Sequence, residues 1–553
     1  MERTRGTGRT LRSELTRLAF GSGLYSLTLG RTGPRDLVLV PTDPWPGDAD
    51  RGAAIVNGEF RLSGQTLPSS APDWLSDRVG EDVVAQLHAF EWLRDLRALS
   101  GDAARRQARL LVSDWLDRHD RWHELAWRPD VLGLRVSNWL GTHDFFCASA
   151  DDDFRLAVFA SLARQVKHLS RVLPGPLAGA PLLYAVKGLI YGAVCLPDAV
   201  HKLEPALKLL ERELAQQILP DGGHVQRDPA VHLTLLRHLV DMRGVLRAAR
   251  AAGLDVDAPP ALQRAIDRMA PALRFYRHGD GGLCLFNGSN ECEPVLIDAV
   301  LNQADARGRP LKSARHSGFE RISAGRTLVI IDAGMPPPPG LDRGTHAGTL
   351  SFELSVGRER MIVNCGAWQG AGPNGAGWAL ALRGTPAHST ATLGDTNSSG
   401  LIDGGGLSRR PRTVTVDRQE SDGAVLIEAS HDGYLDHFGI THHRRLYISP
   451  RGDDIRGEDR LDGPAGHAYA VRFHLHPAVQ VSLSQRGDTA LIRLAGGTGY
   501  RLRAGGAEAL TIEESVYFGS GEERRRTSQI VLSGTTGDGG ATVRWALKRE
   551  SRE

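Results

Sequence analysis

The run PDGGHVQRDPAVH, Pro220 to His232, collects polar and ionisable residues on a turn that leads into a helix. Asp228 is placed to cap that helix and Pro229 to take its first position. His224, Gln226 and Arg227 then stand beside a helix N-terminus, where N–H donors and the positive end of the dipole converge. Such a place suits a carboxylate substrate, although a capped turn with solvated polar residues accounts for the same letters. Further on, THAGTLSFEL puts His346 just before a strand, Asn364-Cys365-Gly366 follows, and RGTPAHST supplies Arg383 and His388. Two histidines and a thiol (His346, His388 and Cys365) can complete a zinc site with an open position. Their spacing is wide and fits no finger pattern.

Aromatic residues form a second candidate. Seven of the ten tryptophans, Trp45, Trp74, Trp92, Trp115, Trp122, Trp127 and Trp139, fall in the first 140 positions. Indole faces stack on sugar rings, so a groove containing Asn138, Trp139 and His143 suits a carbohydrate; packing of a helical core needs the same residues.

The elements that must position these residues change character along the chain. Between about 80 and 276 apolar residues recur at helical steps, as in Val83, Val84, Leu87, Phe90, Leu93 and Leu96, and again from Phe154 to Leu173. Turn chemistry separates the segments at Pro174-Gly175-Pro176, Pro220 to Gly223 and Pro259-Pro260. Short links between such helices favour antiparallel hairpins, which can curl into an incomplete α/α toroid. Beyond residue 310, where 37 of the 64 glycines lie, segments become short and alternating. Strands are expected at Thr327–Ile331, Leu350–Val356, Thr413–Asp417, Ala424–Glu428, Thr441–Ile448, Ala470–His476 and Ala490–Leu494, with Pro336–Pro339 in a loop. Helices first and strands second predict an α+β multidomain chain: an extension over 1–79, a toroid over 80–310 and an antiparallel β-sandwich over 311–553.

Composition narrows the function. The 553 residues hold 67 Lys+Arg against 65 Asp+Glu, a net charge of +2, which argues against a nucleic-acid partner. No run is long and apolar enough to span a bilayer. No glycine signature of a nucleotide site follows a strand and opens a helix. Met1 to Arg12 carries four arginines, yet the following residues are interrupted by polar groups and make an amphipathic first helix rather than a signal peptide. Five cysteines imply no disulfide framework; reduced thiols fit the cytoplasm, whereas a Cys284–Cys292 bridge fits the periplasm.

The runs PDGGHVQRDPAVH, HAGTLSFELSVGRERMIVNCG, LRGTPAHSTATLGD and HHRRLYISPRGDDIRGEDRLDG together resemble the heparinase II/III-like family of polysaccharide lyases, in the family's order and across residues 220 to 463. The resemblance implies an N-terminal incomplete α/α toroid and a C-terminal antiparallel β-sandwich with a cleft between them. It also implies β-elimination from a uronic-acid-containing, glycosaminoglycan-like polysaccharide. A base takes the proton α to the carboxylate, neighbouring groups neutralise that carboxylate, and an acid protonates the leaving oxygen.

Transferred position by position, the resemblance implies catalytic roles for His224, Arg227 and His346, with Tyr184 taking over a lost one. Substrate contacts are expected from Gln226, His232 and Arg383 within these runs and, from the aromatic groove, from Asn138, Trp139 and His143. A zinc ion in the sandwich, as in part of the family, would use His346, His388 and either Asn364 or Cys365, since neighbouring strand residues face opposite ways. Three family positions are substituted: Val231 stands where a tyrosine is usual, Ala180-Pro181 where an Asn-His pair is usual, and Gly344 where the first histidine of His-x-His is usual. Two readings follow. One is an active lyase for an acidic polysaccharide; the other is a catalytically diverged glycan-binding or polysaccharide-assembly protein that keeps the lyase fold. The family points to the cell envelope, the missing signal peptide to the cytoplasm.

Overall fold

Helix-period apolar residues need a partner surface, and in the first half of the chain other helices supply it. The computed structural model describes residues 17–70, 72–368, 375–519 and 523–550; the arginine-rich run Met1 to Arg12 lies outside them. The chain divides into two compact units. One holds the residues up to Ala215 with Arg237–Arg264, the other Gln216–Leu236 with the residues from Ala265 on.

Among the described residues, the helices of seven or more residues that precede the large sheets are α1 (Gly23–Leu29), α2 (Ala49–Val56), α3 (Glu81–Ala89), α4 (Leu93–Leu99), α5 (Gly101–His119), α6 (Pro129–Gly141), α7 (Asp152–Val172), α8 (Ala180–Cys195), α9 (Leu203–Gln217), α10 (Pro229–Ala251), α11 (Pro260–Phe275) and α12 (Pro294–Ala304), and Gly375–Arg383 is a later helix. A two-stranded hairpin, Glu59–Leu62 with Gln65–Pro68, follows α2. In the first unit α6 packs on α3, α7 and α8, and α7 on α8. Helix α8, APLLYAVKGLIYGAVC, buries fourteen of its sixteen residues and has no solvent stripe. Its Gly188 meets the backbone of Gly133 in α6, so neither position has room for a Cβ.

The periodic run from Val83 to Leu96 is two helices rather than one. Phe90 turns left-handed at φ 60° between α3 and α4. Its fully buried ring stacks on Trp74 at 5.5 Å and meets Trp92, Trp115 and Trp139 at 4.8, 5.8 and 5.2 Å. A bulky residue at positive φ costs on the order of 1 kcal/mol, and burying a phenylalanine among aromatics offsets it. Six of the seven early tryptophans are buried. The aromatic cluster is therefore core.

The second unit carries two large antiparallel sheets and a two-stranded one, Gly400–Leu401 with Leu407–Arg409. The strands of the large sheets are β1 (Ser313–Ala314), β2 (Phe319–Ala324), β3 (Thr327–Asp332), β4 (Phe352–Val356), β5 (Glu359–Val363), β6 (Ala391–Leu393), β7 (Val414–Ser421), β8 (Ala424–Tyr434), β9 (Ile440–Ile448), β10 (Asp454–Asp462), β11 (Ala468–Leu475), β12 (Gln480–Leu483), β13 (Thr489–Arg493), β14 (Gly499–Gly505), β15 (Ala509–Tyr517), β16 (Arg525–Thr535) and β17 (Ala541–Arg549). The nine-stranded sheet runs β15-β16-β11-β5-β4-β3-β2-β1, with β6 added on β11; the eight-stranded sheet runs β7-β8-β9-β10-β17-β14-β13-β12. One apolar core joins their inner faces, with Phe352, Leu354 and Phe473 from one sheet and Ile427, Leu446, Leu461 and Trp545 from the other. Strands β8 and β10 alternate buried and more exposed residues, as half-buried antiparallel strands must, whereas β3 and β4 are buried throughout. Residues from the end of α11 onward line that sheet's other face: Arg321 donates to the carbonyls of Phe275 and Arg277, and His278 bonds both Glu353 and Ser355. Each of the seven expected strand segments overlaps a strand, with Leu350, Ser351, Thr413, His476 and Leu494 falling just outside, and Pro336–Pro339 is a loop.

Two glycines separate packing from helix propensity. Gly188→Ala forces a side chain into Gly133 and should cost about 1–3 kcal/mol, while Gly244→Ala in α10, where nothing lies within 4 Å, should be neutral or gain up to about 1 kcal/mol. Denaturant melts of the two variants check both.

Candidate functional site

The run from Pro220 folds as a tight loop because its letters allow it. Gly222 adopts φ 84°. Asp221 accepts from the backbone N–H groups of Gly223, His316 and Ser317 at 3.0, 2.8 and 2.7 Å. Asp228 caps α10 by accepting from Ala230 and Val231 at 2.9 and 3.2 Å, with Pro229 as first helical residue. Burial pushes the Asp228 carboxyl up to about 6, against the pull of these backbone donors.

Arg227 is the anchor of this loop. It is held at φ 54° and only 6% exposed. Its guanidinium donates to the carbonyls of Ser317 (2.6 Å), Gly318 (3.2 Å) and Gly334 (3.4 Å), pairs with Asp332 at 2.5 Å and lies over the Phe319 ring. Asn287 donates to the Arg227 carbonyl at 2.8 Å and accepts from the His346 N–H at 3.1 Å. The structure thus gives Arg227 a positioning role, linking the loop to β3 and to the His346 segment.

The histidines are buried and neutral. His224 is 1% exposed, with Nε2 3.1 Å from Gln217 Oε1 and Nδ1 3.4 Å from the Gln226 N–H. Burial, then the neighbouring His232, lower it to about 3. Gln226 is half-buried beside it. His232 donates through Nε2 to the Met269 carbonyl at 2.9 Å, and burial takes it to about 4. His388 Nδ1 bonds the Gly384 carbonyl at 2.8 Å, which makes it the donor and leaves Nε2 to accept from His346 Nδ1 at 3.1 Å. By that relay His346 Nε2 bears a lone pair, on an imidazole that burial, His388 and Arg383 hold well below 6.5. Arg383 spends its donors on the carbonyls of Thr345, Ile402 and Gly406.

Of the expected zinc ligands, His346 and His388 meet and Cys365 does not join them. Its Sγ lies 3.5 Å from His474 Nδ1 and 3.8 Å from Ser515 Oγ, and burial raises the thiol to about 12. Asn364 faces the other way, accepting from the Ser389 N–H at 3.0 Å and donating to Glu353 at 3.4 Å. Among the described residues no three His, Cys, Asp or Glu side chains converge as a metal site, so two imidazoles without an anionic third ligand do not fit zinc. All five cysteines are free, including Cys284 and Cys292.

In the helical unit Asn138 is buried, accepting from Arg94 and donating to the Ala89 carbonyl, both at 2.9 Å. Trp139 is 1% exposed against Phe90 and Trp115. His143 stacks on Phe159. These residues pack rather than line a groove. Tyr184 stands edge-on to His238 at 4.8 Å and opens onto a charged network that the sequence did not disclose. Lys187 lies 3.1 Å from His238 Nδ1 and 2.6 Å from Asp241, which also accepts from Trp45 at 2.6 Å. Arg94 pairs with Asp43 and Glu91, and Glu91 with Arg237 at 2.6 Å. Burial lowers Lys187 despite Asp241; burial pushes Asp241 up, but Lys187 and His238 outweigh it and hold it below the carboxylate range. The available signals were one lysine in an otherwise apolar helix and the i, i+3 spacing of His238 and Asp241.

This architecture and loop set define a known class. The chain matches the heparinase II/III N-terminus model over residues 69–305 and the heparinase II/III-like C-terminal model over 306–546, and it belongs to that family. Its fold is that of heparinase III, with a TM-score of 0.76 at 13% identity over 92% of this chain and 86% of that one. A mutant of the heparan sulfate lyase HepC from Pedobacter heparinus gives 0.64 at 15% over 93% and 85%. Among curated proteins, FtsZ-localized protein C of Caulobacter vibrioides is 33% identical over 551 residues, covering 96% of this chain and 93% of that protein.

Two measurements test the site. Arg227→Ala leaves Asp332 buried without its partner and should cost about 3–5 kcal/mol, read by chemical denaturation. For His224 the folded pKa lies below the unfolded one, so its stabilising contribution is full above pH 6.5 and lost as pH falls toward about 3. His224→Gln should therefore flatten the acid limb of stability against pH by up to about 1.4 kcal/mol per pH unit relative to wild type.

Proposed function

We propose that this chain is a non-eliminating member of the heparinase II/III family. It acts at the bacterial division site with FtsZ and keeps the lyase fold as a body for recognising acidic glycan. The observation that carries this reading is the condition of its imidazoles. An eliminating base must offer a lone pair to a C–H near its operating pH. His224 and His388 instead bond internal partners through both ring nitrogens, His232 is buried with its Nε2 on the Met269 carbonyl, and the three are lowered to about 3, 4 and 4. The family's usual tyrosine, Asn-His and first histidine are Val231, Ala180-Pro181 and Gly344. The division-site assignment is supported by the FtsZ-localized relative, whose similarity runs through both halves of the chain.

Elimination from a uronic-acid polysaccharide is the second reading. It is favoured by His346, whose Nε2 lone pair the relay from His388 leaves uncommitted.

One pair of experiments separates them. Full-length protein mixed with heparan sulfate, chondroitin, hyaluronan, alginate and bacterial capsule should give no rise in ultraviolet absorbance, because no conjugated C4–C5 double bond forms. The same protein should co-sediment with GTP-assembled FtsZ of its own organism. A rise that His346→Ala abolishes would establish the lyase, and failure to sediment with FtsZ would overturn the division-site role.

A further inference from the structure

The outward face of the eight-stranded sheet divides by charge. On β10, β17, β14 and β13 the inward side chains, among them Ile455, Trp545, Leu502 and Ile492, belong to the core between the sheets. Alternation turns Arg456, Arg544, Lys548, Arg501, Arg503 and Arg493 to solvent, and all six are exposed. Asp454 takes Arg456 at 2.7 Å and Lys548 at 3.3 Å, Glu458 takes Arg544 at 2.7 Å, and Glu550 takes Arg501. Arg493 and Arg503 make no ion pair among the described residues; Arg503 is drawn only at longer range to Asp488, in the turn between β12 and β13. Nearer β9 the charges are matched instead, Arg445 with Glu428, and Arg460 and His443 with Asp462.

Register sharpens the excess. Lys548 lies directly opposite Arg501 where β17 pairs with β14. Like charges on facing strands destabilise a sheet, and a carboxylate from outside removes that cost. Gly499, Arg501 and Arg503 are successive outward positions of β14, about 6.7 Å apart. Arg493 stands opposite Gly499 and Leu491 opposite Arg501. Cations therefore recur at three successive levels along one strand. Beside them lies a groove of about 540 Å³ whose walls include Gln480, Ser482, Leu491, Arg493, Gly499 and Glu550. Its aromatic residue, Tyr500, is buried in the core. A sugar ring or a base needs an open aromatic face to stack on, whereas this groove offers the aliphatic Leu491. An extended polypeptide has the matching repeat, because its alternate side chains project on one side at the same step as those of the strand beneath.

We propose that the β10-β17-β14-β13 face is a docking surface for an extended acidic segment of another protein. Carboxylates at alternate positions of that segment meet Arg493, then Arg501 with Lys548, then Arg503, and an aliphatic side chain packs on Leu491. The role is independent of the histidine loops and of any glycan they hold.

The test is fluorescence anisotropy of the full-length chain with a short fluorescein-labelled peptide of alternating glutamate and serine. Glutamine in place of glutamate should weaken binding at least about tenfold, and high salt should abolish most of it. Arg493→Glu with Arg503→Glu should weaken it by about tenfold or more at unchanged Tm, since both side chains are exposed and neither is in an ion pair. Should the double reversal lower Tm, Arg493→Gln with Arg503→Gln supplies the same reading, at about threefold or more. Arg412→Glu, at an exposed arginine preceding β7 on the opposite edge of the sheet, should leave binding intact. No binding, equal binding of the glutamine peptide, or equal losses in the Arg412 and the Arg493 with Arg503 variants would overturn the proposal. So would a heparan sulfate oligosaccharide that binds more tightly than the peptide and loses affinity in the Arg493 with Arg503 variant, since the occupant would then be a glycan.

Discussion

The buried pair of Arg227 with Asp332 is the constraint on which the loop region of the β-sheet unit depends. Asp332 ends β3, the strand buried on both faces, and Arg227 ends the loop that precedes α10. Two charges leave water here only because the guanidinium also meets three carbonyls and an aromatic face. Once Arg227 is fixed, its carbonyl holds Asn287, and Asn287 holds the backbone of His346. Geometry that the family resemblance assigns to catalysis thus begins as a folding interaction. Three residues in this chain carry position from the sheet to the imidazoles.

The imidazoles themselves show how burial redirects a familiar side chain. In a solvated pocket a histidine titrates near neutrality and can exchange protons. Here each is buried against a partner of its own, an amide, a carbonyl or another imidazole, with the His346 Nε2 lone pair left uncommitted. Desolvation dominates every one of them, so the charged form is expelled rather than used. The same physics explains why Cys365 is inert, its thiol raised and turned toward His474 and Ser515.

Much of this was legible in the sequence where the determining physics is local. The cap at Asp228, the proline after it, the alternating strands and the proline loop all depend on neighbours within a few residues. What escaped depended on distant partners. Phe90 breaks a perfectly periodic helix because Trp74, Trp115 and Trp139 from elsewhere in the unit, with Trp92 two residues on, capture its ring. Trp139 and Asn138 looked equally suited to a groove and a core, and only the arrival of Arg94 and Trp115 decides it. The ambiguity between Asn364 and Cys365 was visible in strand alternation, but that Cys365 turns to His474 and Asn364 to Ser389 and Glu353 was not.

Helix α8 has a consequence of its own. A helix wetted on one side has its rotation set by the boundary between oil and water; α8, dry nearly all round, has no such boundary. Its orientation about its axis is instead keyed by two adjacent residues. Lys187 must find Asp241, and Gly188, without a side chain, must face Gly133. Turning the helix by a single residue, about 100°, would carry Lys187 away from Asp241 and press Leu189, or Lys187 itself, into the backbone of Gly133. One charge and one missing methyl together act as the notch and tooth that index the centre of the helical unit.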